Sequence, residues 1–333
     1  MELGIGLWAW VGFILAAYSV VGNDSLQTLG TFIASNRKLP WWALFLFAGT
    51  VLVITFAFGF MQFDGDPSWG RLSNVKKYPE FEVQWYHVVP ALALVIVTRF
   101  GLPVSTSFMI LAIFATLSGM QSMIAKSAYA YVVSFGVGIG LYALLAPTIE
   151  RYFLKTPEQG QKPVWILLQW MTTAYLWSAW LIQDMANIFV FLPRHLTAPQ
   201  ASAGILIILA LLLVTFLNRG GPVQRILRTK TNVTDIRSAT IIDFTYASIL
   251  AYFAYVSNTP MSTTWAFLGF IGGRELAIAT IDKIRSPGAT LQIIGKDAGK
   301  ALIGLGISVG LAVSLPRLAE GMANGSLQLN FFH

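Results

Sequence analysis

Long apolar runs separated by short polar segments dominate the chain. The runs cover residues 3–21, 40–60, 88–98, 108–119, 128–146, 164–182, 201–217, 240–256 and 301–315. A helix needs about 20 residues to cross the hydrocarbon of a bilayer, so the longer runs predict transmembrane helices. The shorter runs predict half-helices or re-entrant segments. The pattern therefore predicts an all-α polytopic membrane protein.

Composition agrees with this interpretation and excludes a large soluble protein. Of 333 residues, 56% are hydrophobic and 11% are charged, whereas a soluble domain carries about 25% charged residues. The net charge of +7 arises in the connections, mainly in residues 218–237 and 283–300, so we expect a lipid bilayer and no nucleic acid as partner. The positive-inside rule places both basic segments on the cytoplasmic side of the plasma, or inner, membrane. Cysteine is absent, so no disulfide contributes.

Two polar motifs occur twice, in the same order and at nearly the same spacing. "GNDSLQTLGT" precedes "GLPVSTSFMILAIF" in the first half, and "IQDMANIFVF" precedes "NTPMSTTWAFLGFIGG" in the second. Asp24 precedes Ser105 by 81 residues, and Asp184 precedes Ser262 by 78. Internal repeats of this kind are typical of transporters whose binding site lies between the repeats.

The duplication predicts how the chain is divided. We expect residues 1–149 to form a first transmembrane repeat and residues 164–320 a second one of inverted topology. Residues 150–163 are the expected linker, and residues 321–333 a C-terminal tail. Broken or re-entrant helices are expected at the motifs.

The first motif of each half places an acidic residue after an apolar run. An ionised carboxylate in hydrocarbon costs about 2.5–3.5 kcal/mol, so Asp24 and Asp184 are expected to line a cavity and bind a cation or a proton. The nearby carboxamides are Asn23 and Gln27 in the first half and Gln183 and Asn187 in the second. Carboxylate and carbonyl oxygens suit Na⁺. The alternative is that each aspartate is an ordinary helix N-cap.

The second motif of each half joins a proline to a cluster of hydroxyl groups. The hydroxyl residues are Ser105, Thr106 and Ser107 in the first half and Ser262, Thr263 and Thr264 in the second. Proline ends or offsets a helix, and a following Ser or Thr can cap the next one. Hydroxyls and free N–H groups at such a helix start suit an oxyanion. The alternative is a plain helix start without a ligand.

Together these motifs resemble those of the inorganic phosphate transporter (PiT) family. "NDSLQTLGT" is similar to the N-D-V-A-N-x-x-G-T signature of that family, and "QDMANI" to its second copy. "GLPVSTS" and "TPMSTT" are similar to the family's G-L-P-V-S-T-T-H segments. The resemblance covers about residues 5–315 and identifies a divergent member. It implies two inverted repeats, usually a homodimer, and uptake of phosphate coupled to Na⁺ or H⁺; a related branch carries sulfate.

The resemblance also assigns roles and marks departures. It places Asn23, Asp24, Asp184 and Asn187 at polar positions implicated in ion and substrate binding, and Ser105, Thr106, Ser262, Thr263 and Thr264 in the hydroxyl cluster around the anion. Ser107 stands where the family usually has Thr. Gln27 and Gln183 replace asparagine, Val190-Phe191 replaces Gly-Pro, and Phe108 and Trp265 replace the histidine after each hydroxyl cluster.

The sequence therefore predicts a secondary active transporter of inorganic phosphate that works by alternating access at a mid-membrane anion site. Na⁺, held at Asp24 and Asp184, or H⁺ is the expected coupling ion, and no other cofactor is expected. The alternatives are another oxyanion such as sulfate, or a passive anion channel on the same scaffold. An intramembrane enzyme is disfavoured because no nucleophile–base pair or metal triad is evident.

Three further features carry weaker expectations. Residues 61–84 are polar and turn-rich, and we expect a solvated loop. Asp243 lies within an apolar run and is expected to pair with the basic segment 218–237 or to bind a coupling ion. Arg194 and His195 are expected to be interfacial anchors.

Overall fold

The protein is described by a computed structural model that covers residues 4–36, 38–99, 104–145, 148–149, 151–218, 235–283 and 286–324. The regular elements in these residues are helices, which confirms the all-α prediction. The helices are α1 (Leu7–Ser19), α2 (Ser25–Ser35), α3 (Trp41–Gln62), α4 (Trp85–Arg99), α5 (Thr106–Leu111), α6 (Leu117–Leu145), α7 (Arg151–Lys155), α8 (Pro163–Phe189), α9 (Ala198–Leu217), α10 (Ile236–Val256), α11 (Thr263–Ile281) and α12 (Pro287–Ala323). A π-helical turn, Val20–Asp24, joins α1 to α2, and a 3₁₀ turn, Pro157–Gln161, follows α7.

Among the described residues, five helices are long and apolar enough to cross a membrane: α3, α6, α9, α10 and α12. Shorter apolar helices are Leu7–Gly22 and Trp85–Val97. The predicted apolar runs thus become helices, and the protein is an integral membrane protein. The division into inverted repeats and the boundaries at 149 and 164 stay predictions, while the described part of the linker forms α7 and the 3₁₀ turn.

Two elements differ from the pattern of apolar runs. The run 108–119 is divided, because the short helix α5 ends at Leu111 and a turn precedes α6, where the Thr116 hydroxyl donates to the Lys76 carbonyl at 2.9 Å. The helix α11 matches none of the predicted runs. Its glycines and the pair Arg274-Glu275 interrupt the apolar residues, so the sequence there does not form an apolar run. The helix nevertheless packs against α6 and carries the second hydroxyl motif at its start.

Helices α6 and α11 approach each other so closely that their backbones touch. A Cβ atom on Gly269 would lie 2.3 Å from the Tyr131 carbonyl oxygen, and one on Gly273 would lie 2.0 Å from that of Phe135. Small residues four positions apart allow such contact between membrane helices. This packing fixes the start of α11, and with it the second hydroxyl motif, against the rest of the bundle.

The direction of the helices separates two ends of the molecule. The backbone N–H of Leu196, just before α9, donates to the Gly65 carbonyl at 3.0 Å, so α9 starts beside segment 63–84 and runs away from it for about 30 Å. Helix α10 runs in the opposite direction and ends at Val256, next to Ser257, whose carbonyl accepts from Arg71 of that segment. The last turn of α9 and the first turn of α10 therefore lie at the end of the helices opposite segment 63–84.

The glycine contact gives a direct test of this packing. We expect Gly273→Ala to destabilise the protein by about 1–3 kcal/mol, because the added methyl group meets a backbone atom that cannot rotate away. The control is Gly136→Ala on α6, where no atom lies within 4 Å of the added Cβ. Thermal unfolding of both variants in detergent measures the difference. Equal stability of Gly273→Ala and the unsubstituted protein would contradict the helix contact.

Candidate functional site

The acidic motif of the first half lies at the π-helical turn between two helices. Asp24 ends the π-helical turn between α1 and α2 and is fully buried, and no side-chain cap bond forms there. The Gln27 side-chain nitrogen donates to Asp24 Oδ1 at 3.4 Å. A π-helical turn thus interrupts the α-helical pattern at this motif, while the backbone stays helical from Leu7 to Ser35, so the expected broken helix is wrong here. The side chain of Asn23 lies outside the described part.

The acidic motif of the second half lies inside a continuous helix. Gln183, Asp184 and Asn187 are fully buried within α8, which runs unbroken from Pro163 to Phe189. The alternative that Asp184 is an N-cap is therefore wrong, and so is the expected break at this motif. The physical reason is local, because α8 contains no glycine and its one proline stands at its start.

Asn187 connects the second acidic motif to the first hydroxyl motif. Its side-chain nitrogen donates to Asp184 Oδ1 at 2.5 Å and also contacts Ser107 Oγ at 3.1 Å and Thr106 Oγ1 at 3.3 Å. All four side chains are buried. Residues about 80 positions apart in sequence thus meet in one polar cluster.

The two hydroxyl motifs cap two helices in the same way. Ser105 Oγ accepts from the Phe108 N–H at 3.2 Å at the start of α5, and Ser262 Oγ accepts from the Trp265 N–H at 3.1 Å at the start of α11. The capping predicted for these motifs is confirmed. Ser107 Oγ donates to the Met261 carbonyl at 2.9 Å, which joins the two motifs directly. Pro103 lies outside the described residues.

Electrostatic contacts bring the acidic motifs together as well. Asp24 and the hydroxyl of Thr263 both act on Asp184, so the two buried carboxyl groups interact with each other. Tyr246 interacts with both carboxyl groups, and its hydroxyl donates to the Thr263 carbonyl at 3.0 Å. The four motifs therefore form one buried cluster, the central site. Its described members are Asp24, Gln27, Ser105, Thr106, Ser107, Gln183, Asp184, Asn187, Ser262, Thr263 and Thr264.

Several oxygens of the central site are buried without a hydrogen-bond donor among the described residues. They are Gln27 Oε1, Gln183 Oε1, Asn187 Oδ1 and Thr264 Oγ1. A buried polar atom costs free energy unless it is satisfied, and amide and hydroxyl oxygens are ligands that a hard cation such as Na⁺ accepts. In the part of the chain that the structure describes, no group of three His, Cys, Asp or Glu side chains could hold a metal ion. The oxygen atoms of this site therefore fit a hard cation such as Na⁺.

Buried aromatic side chains follow both capping serines of the hydroxyl motifs. Phe108 and Trp265, each three residues after a capping serine, contact each other edge to face with ring centroids 5.1 Å apart. Both are buried, as are Phe189, Val190 and Phe191 at the end of α8. The two positions where the resembled family carries histidine therefore meet as an apolar contact.

Segment 63–84 differs from its predicted character. Arg71 is 3% exposed; its Nε donates to the Ile182 carbonyl at 2.5 Å and its Nη1 to the Ser257 carbonyl at 3.4 Å. Asp66 is buried too and accepts from the Ser68 N–H at 2.8 Å. A solvated loop is thus wrong for residues 66–72. Burial lowers the pKa of Arg71 to about 10, with Asp184 opposing the shift, so the guanidinium stays charged at neutral pH.

Lys126 reaches the same region from α6. Its ammonium nitrogen donates to the carbonyls of Ser257 and Thr259, each at 2.7 Å. Sequence reasoning assigned no role to Arg71 or Lys126. Lys126 lies between the apolar runs 108–119 and 128–146, so no run includes it, and nothing in the turn-rich segment distinguishes Arg71.

Asp243 is buried away from the central site, on α10. It accepts hydrogen bonds at 3.1 Å from the hydroxyls of Thr31 and Thr173. Of the basic segment 218–237, the expected partner, residues 219–234 lie outside the described residues, and Arg237 pairs with Asp235 at 2.7 Å. The observed partners of Asp243 are hydroxyl groups. The backbone N–H of Arg194 donates to a Glu80 carboxylate oxygen at 3.1 Å and its Nη1 donates to the Val190 carbonyl at 3.2 Å, while its role as an interfacial anchor stays a prediction.

Comparison with known proteins shows which solved structure has a similar fold. No family model matches the chain, and no curated protein matches it. Among solved structures, the chain has the fold of a membrane transporter. That structure is described as the sodium-dependent phosphate transporter; the TM-score is 0.63, the sequences are 14% identical, and the match covers 94% of this chain and 98% of that one. At this identity the similarity establishes the fold.

The contacts of Asn187 lead to a stability test. We expect Asn187→Ala to lower the free energy of unfolding by about 1–3 kcal/mol, because it leaves buried polar groups without partners. The control is Gln121→Ala, which removes an exposed carboxamide from α6. Thermal unfolding in detergent, followed by tryptophan fluorescence, compares the two. A loss no larger than that of Gln121→Ala would contradict the bridging role.

Proposed function

We propose that this protein is a secondary active transporter of an inorganic oxyanion, phosphate in the first place, coupled to Na⁺ or H⁺. The convergence of the four motifs in one buried cluster carries this proposal. Two carboxyl groups, carboxamide oxygens without donors and two capped hydroxyl motifs meet there. The fold shared with a structure described as a sodium-dependent phosphate transporter supports it.

The charges of the central site suggest how coupling works. Two buried carboxylates repel an anion, so an oxyanion binds there only after cations neutralise them. Asp24 and Asp184, with the carboxamides of Asn23, Gln27, Gln183 and Asn187, would hold Na⁺; protonation of the carboxyl groups would have the same effect. The anion would then accept hydrogen bonds from hydroxyls of the two motifs.

Transport also needs the central site to open to each side in turn. Movement of one half against the other would do this, as in transporters built from repeats. The hydrogen bond from Ser107 to Met261 and the contacts of Asn187 cross between the halves, so these are the interactions that such a movement would break and remake. We also propose, from the resemblance, a homodimer in the plasma membrane. The function involves no covalent chemistry, so no catalytic residue is assigned.

Phe108 and Trp265 bear on which oxyanion is carried. They replace the family's histidines, and neither side chain can accept a hydrogen bond, since Phe108 has no polar atom and Trp265 has only the indole N–H donor. Neither can therefore bind the proton of a hydrogen phosphate, which favours an oxyanion without a proton, such as sulfate. A passive anion channel is the other alternative.

Neutralising either carboxylate tests the coupling. We expect Asp24→Asn and Asp184→Asn each to reduce Na⁺-driven uptake of labelled phosphate into proteoliposomes at least a hundredfold while leaving the protein folded, because the coupling cation loses its charged ligand. Glu82→Gln, which neutralises an exposed carboxylate, is the matched control and should transport normally. Uptake that remains driven by sodium in both aspartate variants would rule out this assignment.

A competition assay identifies the oxyanion and separates a transporter from a channel. We expect unlabelled phosphate and its tetrahedral analogue arsenate to compete with labelled phosphate, and an inward sodium gradient to raise internal phosphate above equilibrium. Stronger competition by sulfate than by phosphate would assign sulfate as the substrate. Failure to exceed equilibrium under any Na⁺ or H⁺ gradient would indicate a channel.

A further inference from the structure

Two cationic side chains from distant segments meet at one carbonyl oxygen. Arg71 Nη1 lies 3.4 Å and Lys126 Nζ lies 2.7 Å from the oxygen of Ser257. Because both nitrogens contact the same atom, they lie within about 6 Å of each other, a distance at which like charges repel.

Neither cation forms a salt bridge with a carboxylate in the part of the chain that the structure describes. The partners of Arg71 are the carbonyls of Ile182 and Ser257, and those of Lys126 are the carbonyls of Ser257 and Thr259. Asp184 interacts with Arg71 only at longer range. Charges in a protein interior are normally paired with an opposite charge. Because the described partners of Arg71 and Lys126 are neutral carbonyls, the two cations favour the binding of an anion beside them.

The position of this pair relates it to the central site. Arg71 binds the backbone of α8 two residues before Asp184, and Ser257–Thr259 leads directly into the second hydroxyl motif. Lys126 is followed by Ser127, whose hydroxyl accepts from the Ser262 N–H at 2.8 Å. Arg71 is buried, whereas Lys126 is partly exposed. The pair therefore extends from the protein surface inwards to the central site.

We propose that Arg71 and Lys126 form a second oxyanion-binding site, the outer site, through which the anion passes on its way to the central site. A guanidinium group and an ammonium group are the strongest donors for a tetrahedral oxyanion, and Lys126 keeps one N–H beyond the two that its carbonyl contacts use. The outer site lies on the side of segment 63–84. This inference rests on the proposed function, because it assigns a route to the same anion.

A cysteine reporter measures binding at the outer site without relying on transport. The chain has no cysteine, so Asn258→Cys, at an exposed position between the two carbonyls, gives a single reactive thiol. We expect inorganic phosphate to slow its modification by a thiol reagent at least threefold, compared with chloride at equal ionic strength. Adding Lys126→Gln should abolish this protection, whereas Lys126→Arg should keep it. Lys300→Gln, which removes an exposed cation from α12, is the matched control and should keep it too.

The outcomes distinguish this proposal from the proposed function. Protection that persists unchanged with Lys126→Gln would contradict the outer site, even if the protein transports phosphate. Protection that requires anionic phospholipid in nanodiscs, and not free phosphate, would assign the cations to a lipid headgroup and overturn it as well. If phosphate protects through Lys126 but Na⁺-driven uptake is absent, the outer site stands and the coupled transport fails.

Discussion

The rest of the structure depends on placing two carboxyl groups, Asp24 and Asp184, in a protein interior surrounded by hydrocarbon. Each is fully buried, and each acts electrostatically on the other. Such an arrangement is stable only if neighbouring groups and mobile cations supply the compensating interactions. The amide of Asn187, the hydroxyl of Thr263 and the more distant charge of Arg71 supply part of that compensation. The carboxamide oxygens that have no donor among the described residues are where the proposed coupling cation would bind.

The two carboxyl groups lie in different backbone settings, although the motifs that carry them are alike. Asp24 ends a π-helical turn, where the backbone hydrogen bonding differs from that of a regular α-helix. Asp184 lies within the continuous helix α8 and accepts a hydrogen bond from the side chain of Asn187. Arg71, from the first half of the chain, places a positive charge near the carboxylate of Asp184 in the second half.

Local sequence patterns predicted those features that depend on local physics. Run length and composition predicted most helices, and a proline followed by hydroxyl residues predicted the caps at Ser105 and Ser262. Repetition of the motifs predicted that they belong together. The burial of Arg71 was not predictable, because its partners Ile182 and Ser257 lie more than 100 residues away and no periodicity marks its segment. Helix α11 was not predicted from the apolar runs. Its glycines allow close packing against α6, and glycine lowers the hydrophobicity of that stretch of sequence.

Coupling between cation and anion at the central site is the claim on which the account depends, and equilibrium binding tests it most directly. Binding of labelled phosphate to the purified protein would be measured across a sodium titration, with choline keeping the ionic strength constant. The account predicts that phosphate affinity rises steeply with sodium and, by thermodynamic reciprocity, that phosphate raises the affinity for sodium by the same factor. If H⁺ replaces Na⁺ as the coupling ion, the same dependence appears on lowering the pH. Phosphate affinity that changes with neither sodium nor pH would contradict the account.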